Sequence, residues 1–133
     1  MIVRGQAYTA PANVYIALYT AAPTDAGGGT EVSTSGTGYT RATLVTSLAN
    51  WAGTQSAGST VASSGTGGAS SNNGTITFPT PSGAWGVVTH FGVFDAISSG
   101  NLLFWGALGS AKTINGTDPA PTIAAAALTL TID

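Results

Sequence analysis

Apolar residues in this chain recur at every second position, in short runs cut off by Gly, Pro, Asn and Ser. No stretch holds the three-to-four spacing of an amphipathic helix. Val14 to Thr20 is apolar and β-rich, opened by Pro11 and closed by Ala22 and Pro23. Thr24 to Gly29 reads as a loop, because three consecutive glycines weaken any regular element. From Tyr39 to Val45, Tyr39, Arg41, Thr43 and Val45 alternate with Thr40, Ala42 and Leu44. Asn72-Asn73-Gly74 then introduces a run from Thr75 to Phe78 that stops at Pro79.

The densest signal is a hairpin. Gly86 to Asp95 places Val87, Thr89, Phe91 and Val93 on one face and Val88, His90 and Phe94 on the other. Ser98 to Asn101 turns the chain, and Leu102 to Leu108 returns. Both runs are apolar on both faces, which predicts two central strands in a two-layer packing. Leu128, Leu130 and Ile132 alternate with Thr129 and Thr131 as a last half-buried strand. Ala124 to Ala127 reads as the start of that strand, since Pro119 and Pro121 argue against a helix there. Seven or eight short strands with turn signals between them predict an all-β fold, an antiparallel, jelly-roll-like β-sandwich. Residues 1–133 are expected to form one domain. Its one irregular stretch is a Gly/Ser-rich loop over 53–73, where Val61 is the only sizeable apolar residue.

Charge changes this picture. The chain has 133 residues, 43% of them hydrophobic and only 6% charged, with 3 Lys+Arg and 5 Asp+Glu. A compact monomer of this mass exposes roughly 6,300 Å², so its surface would carry about one charge per 800 Å². A positive mean hydropathy of +0.27 excludes a disordered chain. A folded chain with so few charges is expected to be covered by neighbours. Three cationic residues cannot follow a phosphate backbone, which excludes nucleic-acid binding. The absence of Cys removes disulfides and thiolate chemistry and fits synthesis in a reducing compartment. The longest aliphatic run, Ile123 to Leu128, is far too short to span a membrane, and the first residues lack the apolar core of a signal peptide.

Candidate chemistry is sparse. His90 is the only histidine, and its odd spacing from Asp95 puts the two on opposite faces of one strand, so they form no acid–base couple there. Asp25, Glu31, Asp95, Asp118 and Asp133 are scattered near turns or the chain end, without the spacing of a calcium loop or the cleft of a glycosidase. Asn73-Gly74-Thr75 and Asn115-Gly116-Thr117 match the glycosylation sequon but read first as turns. No catalytic, cofactor-binding or metal-ligating set emerges. What remains are aromatics: Trp51, Trp85, Trp105 and Tyr39, with His90, form the candidate interface or receptor-contact set. Beside Asn or Asp such rings stack on sugars; otherwise they fill a core or a subunit interface.

Several of these segments together resemble one family. They are Ala7 to Gly27, Gly29 to Ser33, Gly38 to Arg41, Ile76 to Pro79, Trp85 to Asp95 and Gly100 to Leu108. The run Trp85-Gly86-Val87-Val88-Thr89-His90-Phe91-Gly92 is the most specific of them. The chain is similar to the bacteriophage tail-fibre family of small virion proteins. The resemblance implies a non-enzymatic structural protein without cofactors, on the outside of a phage particle and made in the host cytoplasm. Its partners would be other virion proteins and further copies of itself, as a homotrimer. Family members often begin with an amphipathic helix, whereas here only Met1 to Val3 precede Arg4. That departure suits a capsid decoration (cement) protein as well as a fibre. A host-glycan-binding adhesin tip is the alternative function.

Overall fold

The computed structural model describes residues 9–53, 57–62 and 68–131. The segment before Arg4, Ile132 of the last predicted strand, and parts of the 53–73 loop lie outside the described residues. The fold is all-β. Its strands are β1 (Asn13–Ala21), β2 (Thr30–Glu31), β3 (Ala42–Val45), β4 (Trp51–Ala52) and β5 (Ala69–Asn72). They continue with β6 (Ile76–Thr77), β7 (Gly86–Phe94), β8 (Leu102–Ile114), β9 (Thr122–Ile123) and β10 (Thr129–Thr131).

Every pairing between strands is antiparallel. The larger sheet runs β2-β1-β7-β8, and β3 joins the same side of β1 as β2. Two smaller sheets, β10-β5-β4 and β6-β9, form the second layer. Between the layers lies the main core: Val14, Ile16 and Leu18 of β1 meet Val93 of β7, Ile76 of β6 and Leu128 just before β10. The alternation along β1 sends Tyr15, Ala17 and Tyr19 to the opposite face, where Ala17 and Tyr19 form a second buried cluster with Phe94. β1, apolar on both faces, is thus covered on both sides.

The predicted hairpin forms, but two of its expected features do not hold. β7 is central, while β8 is the edge of its sheet and is largely exposed. An edge strand with apolar residues on both faces has the same sequence pattern as a central one, so periodicity cannot separate them. The face assignment also fails along the length of β7. Val93 and Phe91 turn toward the main core, yet Val88, of the opposite parity, is buried in the same core. The ladder is broken at the same place: His90 pairs with Ala107 but Val88 pairs with Lys112, so Leu108 to Ala111 of β8 stand against Thr89 alone.

Three further differences stand out. Tyr39 to Arg41 precede β3 instead of extending it. The C-terminal end of the 53–73 segment is ordered as β5 between β4 and β10. Ala124 to Ala127 form a turn, with Ala126 at φ 62 and Ala127 N–H donating to Ala124 C=O at 3.1 Å. The turn is imposed from outside by Asn72. This fully buried side chain donates from Nδ2 to the carbonyls of Gly74 (2.8 Å) and Ala124 (2.9 Å), and Oδ1 accepts from Leu128 N–H (2.9 Å). Its own carbonyl accepts from Ala126 N–H at 2.7 Å. One amide thus joins β5 to the approach of β10, with no side-chain donor left unused. Its neighbour Asn73 donates to Leu48 C=O (3.2 Å) and Ser59 C=O (3.1 Å), tying the described part of the long loop to the body.

The turn between β7 and β8 is fixed as firmly. Asp95 accepts from the backbone and side-chain N–H groups of Asn101, both at 2.7 Å, which holds its carboxyl below the usual range. Gly100 sits at φ 76, and a Cβ there would fall 2.5 Å from Asp95 Oδ1, so no other residue fits without moving the turn.

Replacing Asn72 by Ala strands the buried Leu128 N–H and takes a donor from the part-buried carbonyls of Gly74 and Ala124. Urea unfolding of Asn72→Ala is expected to show a loss of about 2–4 kcal/mol. A loss below about 1 kcal/mol would show that the hub is dispensable.

Candidate functional site

The five aromatic candidates divide by burial. Trp85 and Tyr39 are buried, 4% and 2% exposed, and meet edge to face at 5.1 Å. Trp85 also meets Phe78 edge-on at 6.5 Å, and its indole N–H donates to Thr37 C=O at 2.9 Å. Both residues serve the core, and neither presents a ring to a partner. Trp51 is half-buried against the core. Its indole nitrogen is buried and has no hydrogen-bond partner among the described residues. Only His90 and Trp105 lie together near the surface, their rings 6.1 Å apart.

Tyr39 belongs to a network that the spacing of charges along the chain does not reveal. β1 pairs with β3 up to Ile16 and with β2 from Tyr19, which leaves a gap in the ladder on that side at Leu18. The Tyr39 hydroxyl fills it, accepting from Leu18 N–H at 3.0 Å and donating to Glu31 Oε1 at 2.9 Å. Arg41 grips the same carboxylate with both forks, Nε to Oε1 at 2.9 Å and one terminal nitrogen to Oε2 at 2.8 Å. Its other terminal nitrogen donates to the carbonyls of Ala96 and Ser99, each at 2.8 Å. The guanidinium carbon lies 3.6 Å from the centre of the Phe94 ring. Burial and the adjacent Glu31 carboxylate push the Tyr39 phenol well above its ordinary range, despite the Leu18 N–H and Arg41 acting against them. Tyr19 is raised as well, by burial first and Glu31 second.

On the outer face of the larger sheet, Trp105 is 38% exposed and donates its indole N–H to Asp25 Oδ1 at 3.2 Å. Asp25 stands on a tight turn closed by reciprocal backbone bonds between Thr24 and Gly27, at 3.0 and 2.8 Å. Beside it is a dent of about 440 Å³ lined by Tyr19, Asp25, Phe94, Asn101 and Leu102. His90 Nδ1 lies 2.8 Å from Thr89 Oγ1, and both Asp95 oxygens are engaged by Asn101. Among the described residues, no three His, Cys, Asp or Glu side chains converge as metal ligands.

The segments that compose this architecture are shared with a known family. A family model described as podophage GP4 fiber I protein gp80 matches residues 1–131. The chain belongs to this family. No curated protein matches it. Membership in this fibre family gives the chain a structural, tail-fibre-like role in a phage virion. Glu31, Tyr39 and Arg41 come from the segments that carry the resemblance, and in this fibre-family fold they hold strands and turns together.

Removing Arg41 leaves the Glu31 carboxylate partly buried and two turn carbonyls without donors. Because Glu31 keeps 27% of its side chain exposed, the loss in Arg41→Met should be about 2–3 kcal/mol, at the low end for a broken buried pair. Denaturant unfolding measures it, and a loss under about 0.5 kcal/mol would show that the pair contributes little.

Alkaline pH tests the phenol. Below about pH 10 Tyr39 is neutral in both folded and unfolded chains, so its contribution is complete. Above that, the unfolded chain ionises first because the folded pKa is raised, and stability is lost as pH rises. The urea midpoint should therefore fall above pH 10 more steeply in the wild type than in Tyr39→Phe. Equal slopes would contradict the assignment.

Proposed function

We propose that the chain is a non-enzymatic β-sandwich subunit on the exterior of a tailed-phage particle, a homotrimeric, tail-fibre-like appendage seated on other virion proteins. The carrying observation is where the few charges go. Arg41, one of only three cationic residues, is buried against Glu31, and the exposed surface keeps few charges, Asp25 and Lys112 among them. Val45, Leu48, Val87, Ile97, Leu103, Phe104 and Trp105 all stand out from it. Covering such a surface requires little desolvation of charge, which favours permanent contact with like surfaces over free diffusion. The engagement of Asp95 by Asn101 and of His90 by Thr89 supports a role without catalysis. A capsid decoration protein would share every one of these features, and the particle itself separates the two sites.

A second reading, a glycan-binding adhesin, is favoured by one observation: exposed Trp105 is bonded to Asp25, which lines the 440 Å³ dent. An indole face stacks on the apolar face of a sugar while a carboxylate accepts its hydroxyls.

Light scattering should give a mass near three times 13.0 kDa, and gold-labelled protein in images of intact particles should mark the tail. A dispersed monomer at high concentration would count against self-association, and label spread over the capsid would favour decoration. For the adhesin reading, Trp105→Ala should abolish binding to host cells while leaving the circular dichroism unchanged. Unaltered binding ends that reading.

A further inference from the structure

The tripeptide Asn-Gly-Thr occurs twice in the chain, at 73–75 and at 115–117. An asparagine followed by glycine carries its own reactive partner. The next main-chain nitrogen attacks the side-chain amide carbon, and glycine has no Cβ to block the approach. In a folded chain the reaction depends on how freely the amide swings and on whether water reaches it.

The two sites share a sequence but differ in restraint. Asn73 Nδ2 donates to Leu48 C=O at 3.2 Å and to Ser59 C=O at 3.1 Å. Its Oδ1 is buried, and its backbone N–H donates to Asn50 C=O at 2.7 Å. Attack at Asn73 therefore requires breaking both side-chain bonds and moving a buried oxygen. Asn115 is exposed and opens the turn that follows β8. Its C=O accepts from Asp118 N–H at 3.1 Å, and its N–H donates to Asp118 Oδ2 at 2.7 Å. Both bonds hold the main chain. Among the described residues, no hydrogen bond holds the Asn115 side-chain amide or the Gly116 N–H.

Gly116 is also where three loops meet backbone to backbone. A Cβ at Gly116 would lie 2.9 Å from Gly83 Cα, and one at Gly83 would fall against the Gly36 carbonyl oxygen. Trp85 N–H donates to Ile114 C=O and Ser82 N–H to Thr37 C=O, each at 2.9 Å, so the junction is bonded as well as packed.

We propose that Asn115 is a site of intramolecular deamidation from which the fold shields Asn73, and that its iso-aspartyl product loosens this junction. The Gly116 nitrogen bonds to Asn115 Cγ and the Cγ–Nδ2 bond breaks. Nδ2 leaves as ammonia, taking the proton lost from Gly116. Water then adds to one carbonyl carbon of the resulting succinimide and breaks that carbon's bond to the Gly116 nitrogen. Opening at Cγ leaves an aspartyl residue. Opening at the main-chain carbon leaves an iso-aspartyl residue, whose backbone is longer by a methylene. Either product puts a second carboxylate on the turn beside Asp118, but only the longer backbone presses on the Gly116–Gly83 contact.

Incubating the folded full chain at mildly alkaline pH, then mapping tryptic peptides by mass spectrometry, tests the assignment. Cleavage after Lys112 separates Asn115, in 113–133, from Asn73, in 42–112. Asn115 should gain the mass of an amide-to-acid conversion about tenfold faster than Asn73, which must first break two hydrogen bonds. In urea the two rates should converge, because the tripeptides are identical. Asn115→Gln should retain the circular dichroism of the wild type and lose the modification of 113–133. Equal rates in the folded chain, or a faster reaction at Asn73, overturn the proposal, as does an Asn115 that reacts only in urea. Aged protein should unfold at lower urea than Asn115→Asp, which gains the charge without the longer backbone. Equal midpoints overturn the loosening of the junction.

Discussion

The Tyr39–Glu31–Arg41 network closes a break in the central strand, and much of the larger sheet depends on that closure. On the side of β1 away from β7, Leu18 C=O accepts from Val32 N–H at 2.9 Å but Leu18 N–H has no strand partner, and a buried N–H without a partner costs about 1–3 kcal/mol. Tyr39 supplies the missing acceptor at 3.0 Å and hands its own proton to Glu31. A carboxylate in that position is tolerable only beside a cation with its own hydrogen bonds satisfied, and Arg41 meets both conditions through Ala96 and Ser99. One polar chain therefore runs from β1 through β2 to the β7–β8 turn. The turn is in turn closed by Asp95 and Asn101. No apolar replacement would satisfy the Leu18 N–H and the turn carbonyls together.

Spending a cation and an anion inside leaves the outside depleted of charge. This connects the core to assembly: the interaction that orders the sheet also removes charge that would otherwise keep copies apart. The second layer is held differently, by short strands and the Asn72 amide, so its backbone groups are satisfied by one side chain where a longer ladder would do it elsewhere.

Much of the fold was legible in the residues. The runs around β1, β7 and the first half of β8 are long and strongly apolar, and each formed as a strand. The turn at Ser98 to Asn101 formed where Gly100 demanded it. Strands of two residues, such as β2, β4 and β9, are too short to show a period, and they exist only because a neighbour supplies hydrogen bonds. The depth of each candidate contact residue was not legible in the sequence. Trp85 and Tyr39 have the same local surroundings as Trp105, in runs of apolar and Gly residues, yet the first two are buried and the third is exposed. Glu31 and Arg41 looked like isolated charges, although both being acidic or basic near a tyrosine was the one available signal of a buried pair.

The sequence by itself determined the β class, the hairpin, the scarcity of charge and the resemblance to phage fibre proteins, because alternation, turn chemistry and composition are local or additive properties. Tertiary structure alone decided which apolar strand is central and which is the edge, since both have the same pattern until a neighbour is present or missing. It also decided that Arg41 and Glu31 meet, that Asn72 bends an alanine run into a turn, and that Val88 joins the same core as Val93. Each of these depends on groups distant along the chain satisfying one another's hydrogen bonds or burying one another's surface, and no local pattern records that.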